Sequence, residues 1–457
     1  GPWMIEREQV EAQAQQEVDE LERSRRGLVR LALVAVVAGG AIGLVGGAFR
    51  LVLLTAAEMR ADLVSWSEQF GDWGFVVPVL AVALCAGAAR ALVRLAPEAA
   101  GSGVQRVEAV MRGEEQPATL RVVPVKFVGG ALALGSGLAL GREGPTVQMG
   151  AVIGSAFARW ARLIEQDVRD LSAAVAGAGL GVAFSAPMGG ALFTFEEVRR
   201  AFTLRLAVAS LLACSAASGV ALLMLGAEPD FLLEPPPILG IESVLPVLAL
   251  GALLGALGVG YNRLVVRLLD LADAWPRVPA ELKAAAIGAL VGLLLWFEPL
   301  LVGGGDELNQ SVLDGRMPLG SLLVILAVRW FLGPLSYAAG TPGGLFAPLL
   351  LVGAAAGALF AGTCNAVFGI ALDPVAFAII GMSTFFTAVV RAPFTGIVLI
   401  VEMTATTTQV MPMLAAAGTA MLAATLLRGL PVYDTLRLRM LRREAAETRA
   451  TAPGTGA

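Results

Sequence analysis

Gly141-Arg142-Glu143-Gly144-Pro145 places an acid and a base inside one of the most hydrophobic regions of the chain. Upstream lies Phe127-Val128-Gly129-Gly130-Ala131-Leu132-Ala133-Leu134, continuing apolar to Leu140, and downstream an apolar, small-residue run extends from Val147 to Trp160. An ionisable side chain at membrane depth costs at least about 2.5–3.5 kcal/mol and so marks a functional-site candidate. The two glycines and the proline break a helix there and leave backbone N–H groups free beside the acid. Irregular backbone at that depth is tolerated only where it faces protein or a water-filled cavity. The stretch predicts a broken helix with something passing Glu143.

The surroundings fix the class. Of 457 residues, 57% are hydrophobic and the mean hydropathy is +0.75, too apolar to cover a soluble protein with polar surface. The expectation is an all-α polytopic membrane protein with the lipid bilayer as its first partner. A net charge of −4, from 33 basic and 37 acidic residues, argues against a nucleic-acid partner. Histidine is absent, which removes Ser-His hydrolases, His-ligated zinc or haem and His proton relays. Proton work then falls to carboxylates, Tyr or Lys. Cys85, Cys214 and Cys364 are scattered through apolar segments without pair spacing and read as small buried hydrophobes. No metal and no cofactor are expected.

Gly1-Pro2 has the look of a protease-cleavage remnant, with Met4 as the native start, and Ile5 to Arg26 reads as a cytoplasmic or interfacial helix. Apolar segments then fill 27–227 and, after a loop at Glu228–Pro237, 238–430; several are too short for a simple span of about 20 residues. A closing helix over 431–443 and a disordered tail over 444–457 complete the chain. Arginines at 23, 25, 26 and 30, at 199, 200 and 205, and at 437, 439, 442 and 443 put both termini in the cytoplasm.

The two apolar regions repeat each other. Lys126-Phe127, Pro145, Gly150 and Gly154 recur as Arg329-Trp330, Pro348, Gly353 and Gly357, 203 residues on. Ala186-Pro187, Gly190 and Glu196 recur as Ala392-Pro393, Gly396 and Glu402, 206 residues on. Transporters built from two repeats place their sites where broken helices of both halves meet at the midplane. Here Gly141–Pro145 falls opposite Gly344-Leu345-Phe346-Ala347-Pro348, so each half supplies one break to the same centre. A helix N-terminus there is an anion site without a full cation, and a serine hydroxyl such as that of Gly101-Ser102-Gly103 adds a donor.

Gly101-Ser102-Gly103, Gly141–Pro145, Gly344–Pro348 and the late Tyr433, taken in order, resemble the CLC family of chloride channels and chloride/proton antiporters over roughly residues 30–440. The resemblance implies two inverted repeats of tilted, partly broken helices, in a homodimer with one pore per subunit, in the inner (plasma) membrane of a bacterium. It implies chloride and protons as substrates. Ser102 and Tyr433 would contact a central anion with their hydroxyls, and the N–H groups of Leu345 and Phe346 would complete that site. N–H groups of Arg142, Glu143 and Gly144, with Ala347, would form sites further out. Glu143 would be the gating glutamate, which competes with chloride when charged and leaves when protonated. Glu197, in Phe195-Glu196-Glu197-Val198, would be the inner proton-transfer glutamate, whereas Glu196 and its repeat partner Glu402 look like structural acids near the dimer contact. Val104-Gln105 departs from the family's usual Ile-Pro and loosens the pre-organisation of the helix start after Gly103.

Lys126, Glu108 and Arg329 read as structural ion-pair members. Two other functions fit parts of the pattern: a passive chloride-selective channel of the same fold, or a fluoride exchanger. An intramembrane aspartyl protease is the enzyme alternative, because Gly303-Gly304-Gly305-Asp306 and Tyr433-Asp434 imitate its aspartate motifs, in reversed order.

Overall fold

Two apolar halves of one chain that share a register can bury the same pairs of faces twice, and the helix order shows that they do. The computed structural model describes residues 7–451; the cleavage remnant and start expected at Gly1-Pro2 and Met4 lie outside them. The first half comprises α1 (Arg7–Ser67), α2 (Val76–Val93), α3 (Val104–Met111), α4 (Val122–Ser136), α5 (Glu143–Trp160), α6 (Glu165–Ala183), α7 (Pro187–Phe193) with a π turn at Thr194–Val198, and α8 (Leu204–Leu225). The second comprises α9 (Val244–Asp273), α10 (Ala280–Phe297), α11 (Asp306–Leu313), α12 (Leu319–Tyr337), α13 (Phe346–Phe368), α14 (Pro374–Val390), α15 (Pro393–Thr404), α16 (Val410–Leu426) and α17 (Val432–Thr451). Among the described residues, seven helices are long and apolar enough to cross a membrane, and several others are shorter, as the broken pattern predicts.

Packing follows the repeat. α1 lies on α8 as α9 lies on α16, and α5 lies on α6 as α13 lies on α14. Two further pairs, α2 with α10 and α7 with α15, join equivalent helices across the halves. The centre shows the same exchange at atomic scale. The Gly141 N–H donates to the Gly344 carbonyl at 2.7 Å and the Gly344 N–H to the Gly141 carbonyl at 2.8 Å, an antiparallel bridge between equivalent residues. A pseudo-twofold axis through that bridge relates the two halves as inverted repeats. Small residues let the helices come this close: a Cβ on Gly150 would stand 2.3 Å from the Val175 carbonyl, and one on Gly353 2.4 Å from that of Gly381.

Two boundaries differ from expectation. The charged N-terminal helix does not end at Arg26 but runs into the first span as one 61-residue element. Gly27 lowers propensity by only about 1 kcal/mol, and good helix formers flank it. The tail expected to be disordered from residue 444 is helical through Thr451, because Glu444-Ala445-Ala446-Glu447 propagates α17; residues 452–457 lie outside the described chain.

Candidate functional site

The breaks at Gly141–Pro145 and Gly344–Pro348 start α5 and α13 head to head. Glu143 and Phe346 are equivalent first residues of these helices, and they meet: the Phe346 N–H donates to Glu143 Oε1 at 2.7 Å. The Glu143 side chain is fully buried. The acid of one repeat thus sits on the positive end of the other repeat's helix, where an unpaired N–H and the helix dipole favour negative charge. Glycine on both strands makes the seat. A Cβ on either Gly141 or Gly344 would fall 1.9 Å from a Glu143 carboxylate oxygen. The Phe346 ring is fixed by Phe386, Phe193, Phe184 and Tyr433, with centroids 4.6, 5.8, 6.5 and 5.9 Å away.

Ser102 and Tyr433 are fully buried and lie beside one another below that seat, and Ser102 packs against the start of α5 so closely that a Cβ on Gly144 would meet its Oγ at 2.9 Å. Among the described residues, three buried polar atoms here have no hydrogen-bonding partner: Glu143 Oε2, Ser102 Oγ and Tyr433 Oη. Leaving such groups unpaired costs about 1–3 kcal/mol each, so their convergence points to a polar or ionic ligand. Leu345 and Ala347 flank Phe346 at the same helix start and are buried. Arg142 turns away from the seat; its Nε donates to the Ala183 carbonyl, its guanidinium pairs with Asp306 and, at 2.9 Å, with Asp230, and it lies 5.3 Å above the Phe184 ring. Gln105, where the family pattern has proline, donates to the Tyr337 hydroxyl at 3.4 Å, which also accepts from the Ser102 N–H at 3.4 Å.

The ion-pair reading of Lys126 and Arg329 is corrected. Lys126 Nζ donates to the carbonyls of Ala99 at 2.9 Å and Gly101 at 2.7 Å, and Arg329 donates to those of Leu301 at 3.1 Å, Gly303 at 2.7 Å and Gly304 at 3.2 Å. Each cation pegs the loop before a short helix whose glycine cap is left-handed, Gly103 at φ +83° and Gly305 at φ +94°. Their matched positions in the repeat were the signal for this role. Among the described residues, Glu108 also lacks a cation partner of its own. It is buried against Glu197, with Arg200 and Asp434 nearby, and Arg200 lies 3.6 Å from Glu197 Oε1. A paired-acid arrangement 89 residues apart has no sequence signature.

Glu196 accepts from the N–H groups of Phe394 and Thr395 at 3.1 and 2.9 Å, and Glu402 from those of Met188 and Gly189 at 3.1 and 2.6 Å. Each therefore caps the other repeat's Ala-Pro helix start. The protease arrangement does not form, since Asp306 is held by Arg142 and Asp434 by Arg200 at 3.2 Å.

Against known proteins, residues 82–425 match the family model described as voltage gated chloride channel. The chain belongs to that family. It is 35% identical over 433 residues to a Vibrio cholerae protein named H(+)/Cl(-) exchange transporter ClcA, covering 92% of each chain. A Citrobacter koseri protein of the same name is 34% identical over 441 residues, covering 94% of this chain and 92% of that one. Among solved structures, a slow cyanobacterial Cl-/H+ antiporter superposes with a TM-score of 0.86 at 30% identity, over 91% of this chain and 99% of that one. A CLC-type fluoride/proton antiporter shares the fold, with a TM-score of 0.73 at 22% identity, over 89% and 97%. The family's relatives are transporters rather than enzymes, and this all-helical membrane chain has their fold.

Proposed function

We propose that the chain is a secondary active transporter exchanging chloride for protons across a bacterial inner membrane, with both termini cytoplasmic. The observation that carries this reading is the Glu143 carboxylate on the Phe346 N–H, above the unpartnered hydroxyls of Ser102 and Tyr433. A seat that accepts a buried carboxylate by one N–H and a helix dipole accepts a small anion by the same contacts. Charged, Glu143 imitates the substrate and blocks it; protonated, it loses its hold and yields the seat to chloride. Ser102, Tyr433, Leu345 and Phe346 hold the central anion, and the backbone at Arg142, Gly144 and Ala347 the outer ones. An anion held by dipoles and hydroxyls leaves as readily as conduction requires.

Glu197, buried beside Glu108 and Arg200, takes the proton on the cytoplasmic side. In this reading the protein works as a homodimer with one pore per subunit, and chloride and protons are its substrates. The test is proton uptake into liposomes driven by a chloride gradient. Uphill proton movement is expected; chloride flux without any proton movement would make the protein a passive channel of the same fold.

A further inference from the structure

A cavity of about 430 Å³ opens above the Glu143 seat, with Leu140 and Ala347 in its lining. Three arginines, Arg50, Arg60 and Arg142, and four acids, Glu228, Asp230, Asp306 and Glu307, also line it. Most of this charge is tied down. Arg60 donates to the Gly135 carbonyl at 2.8 Å; Arg50 donates to the Val182 carbonyl at 3.0 Å, to Ser185 Oγ at 2.8 Å and to Asp230 Oδ1 at 3.2 Å. Asp230, with 6% of its side chain exposed, bridges Arg50 to Arg142. Ala183, Asp230 and the Phe184 ring hold three aspects of the Arg142 guanidinium, and its Nη1 donates to Asp306, which lines the cavity. Asp306 covers that nitrogen, with 43% of its side chain exposed.

We propose that Asp306 sets how readily anions enter the path from the outer face. Its carboxylate occupies the cationic edge of Arg142, and an incoming halide must displace it before reaching Glu143. A halide and a carboxylate compete for the same N–H donors, and an ion pair whose acid is 43% exposed on a largely buried arginine is open to such competition from the acid's side. Ionised Asp306 also gives the cavity its fourth negative charge against three positive ones, which repels approaching anions. The inference rests on the reading of Glu143 as the gate of an anion path.

The experiment uses the full-length protein in right-side-out and inside-out membrane vesicles, with radiolabelled chloride varied on the exposed face. Asp306→Asn is expected to lower the half-saturating chloride concentration at the outer face by about threefold, on the order of one ion pair with a solvent-facing acid, and to leave the inner face unchanged. Asp306→Glu should stay close to wild type, and Asp306→Ser gives the same readout should the amide variant fail to insert. An outer-face value that is unchanged or raised, or a shift equal on both faces, overturns the assignment of Asp306 while leaving the gate intact. Wild-type protein that moves no chloride overturns both.

Discussion

The two repeats agree and disagree in an ordered way. Lys126 and Arg329 peg equivalent loops, Glu196 and Glu402 cap equivalent helices, and Gly141 and Gly344 bond each other. Where the halves differ, the proposed chemistry resides. Glu143 is answered by Phe346, Ser102 by Gly304, and Glu197 by the fully buried Met403. A paired residue builds the scaffold twice, whereas an unpaired one gives an otherwise symmetric structure a direction and a substrate.

Symmetrising an unpaired acid breaks that comparison most severely. Glu197→Met copies the second repeat into the first; proton uptake driven by chloride should fall by about a hundredfold or more, the scale of a removed proton-transfer group, with chloride flux retained. Persistent coupling would show that the asymmetry at this position is incidental. Glu143→Gln should uncouple the ions and leave chloride flux insensitive to pH, read in the same liposomes by a pH electrode and a chloride electrode. Gly141→Ala should act in the same direction without touching an acid. Its new Cβ would fall nearest the Glu143 side chain, 1.9 Å from a carboxylate oxygen, and would evict the carboxylate, lowering coupling by about tenfold, the equivalent of about 1.4 kcal/mol. Wild-type coupling in that variant would mean that the seat is not where Glu143 blocks.

Smaller effects sharpen the symmetric side. Glu196→Gln and Glu402→Gln should each cost about 1 kcal/mol, as lost helix caps do, and by similar amounts in thermal unfolding in detergent. A strong inequality would mark one of them as more than a cap. The smallest effect concerns Glu115, in the loop after α3 and outside the membrane-spanning helices. Burial, then the neighbouring Glu444 carboxylate, pushes Glu115 up to about 7 against the pull of Arg106, which lies 3.2 Å away. Because the folded state holds this proton more tightly than the unfolded chain, its contribution is complete below the ordinary value of 4.5 and is lost as pH rises through about 7. Glu115→Gln should flatten the decline of the unfolding midpoint over that window.

Much of this was readable before any coordinates. Glycine and proline punctuate membrane helices strongly, so the breaks, the repeat register and the meeting of Gly141–Pro145 with Gly344–Pro348 stood out as text. What escaped were interactions with the backbone. A carbonyl has no letter, so Lys126 and Arg329 looked like ion-pair members although their partners are loop carbonyls. Glu108 likewise gave no sign that it would face Glu197, because helix proximity across a fold is set by packing rather than by spacing. The run of α1 through Gly27 was hidden for the opposite reason: a single glycine resembles a stop but is too weak to be one.

The glycine bridge at the centre has a further consequence. Its two bonds use main-chain atoms alone, so apart from proline, which lacks the N–H, no substitution removes a donor or acceptor from it, and otherwise only an added side chain can harm it. The joint between the halves is therefore insured against sequence drift except at two positions. It also denies the repeats the freedom to rock apart there. In the proposed exchange, movement then falls to the swing of single side chains, and its pace to how often the buried Glu143 carboxylate picks up a proton.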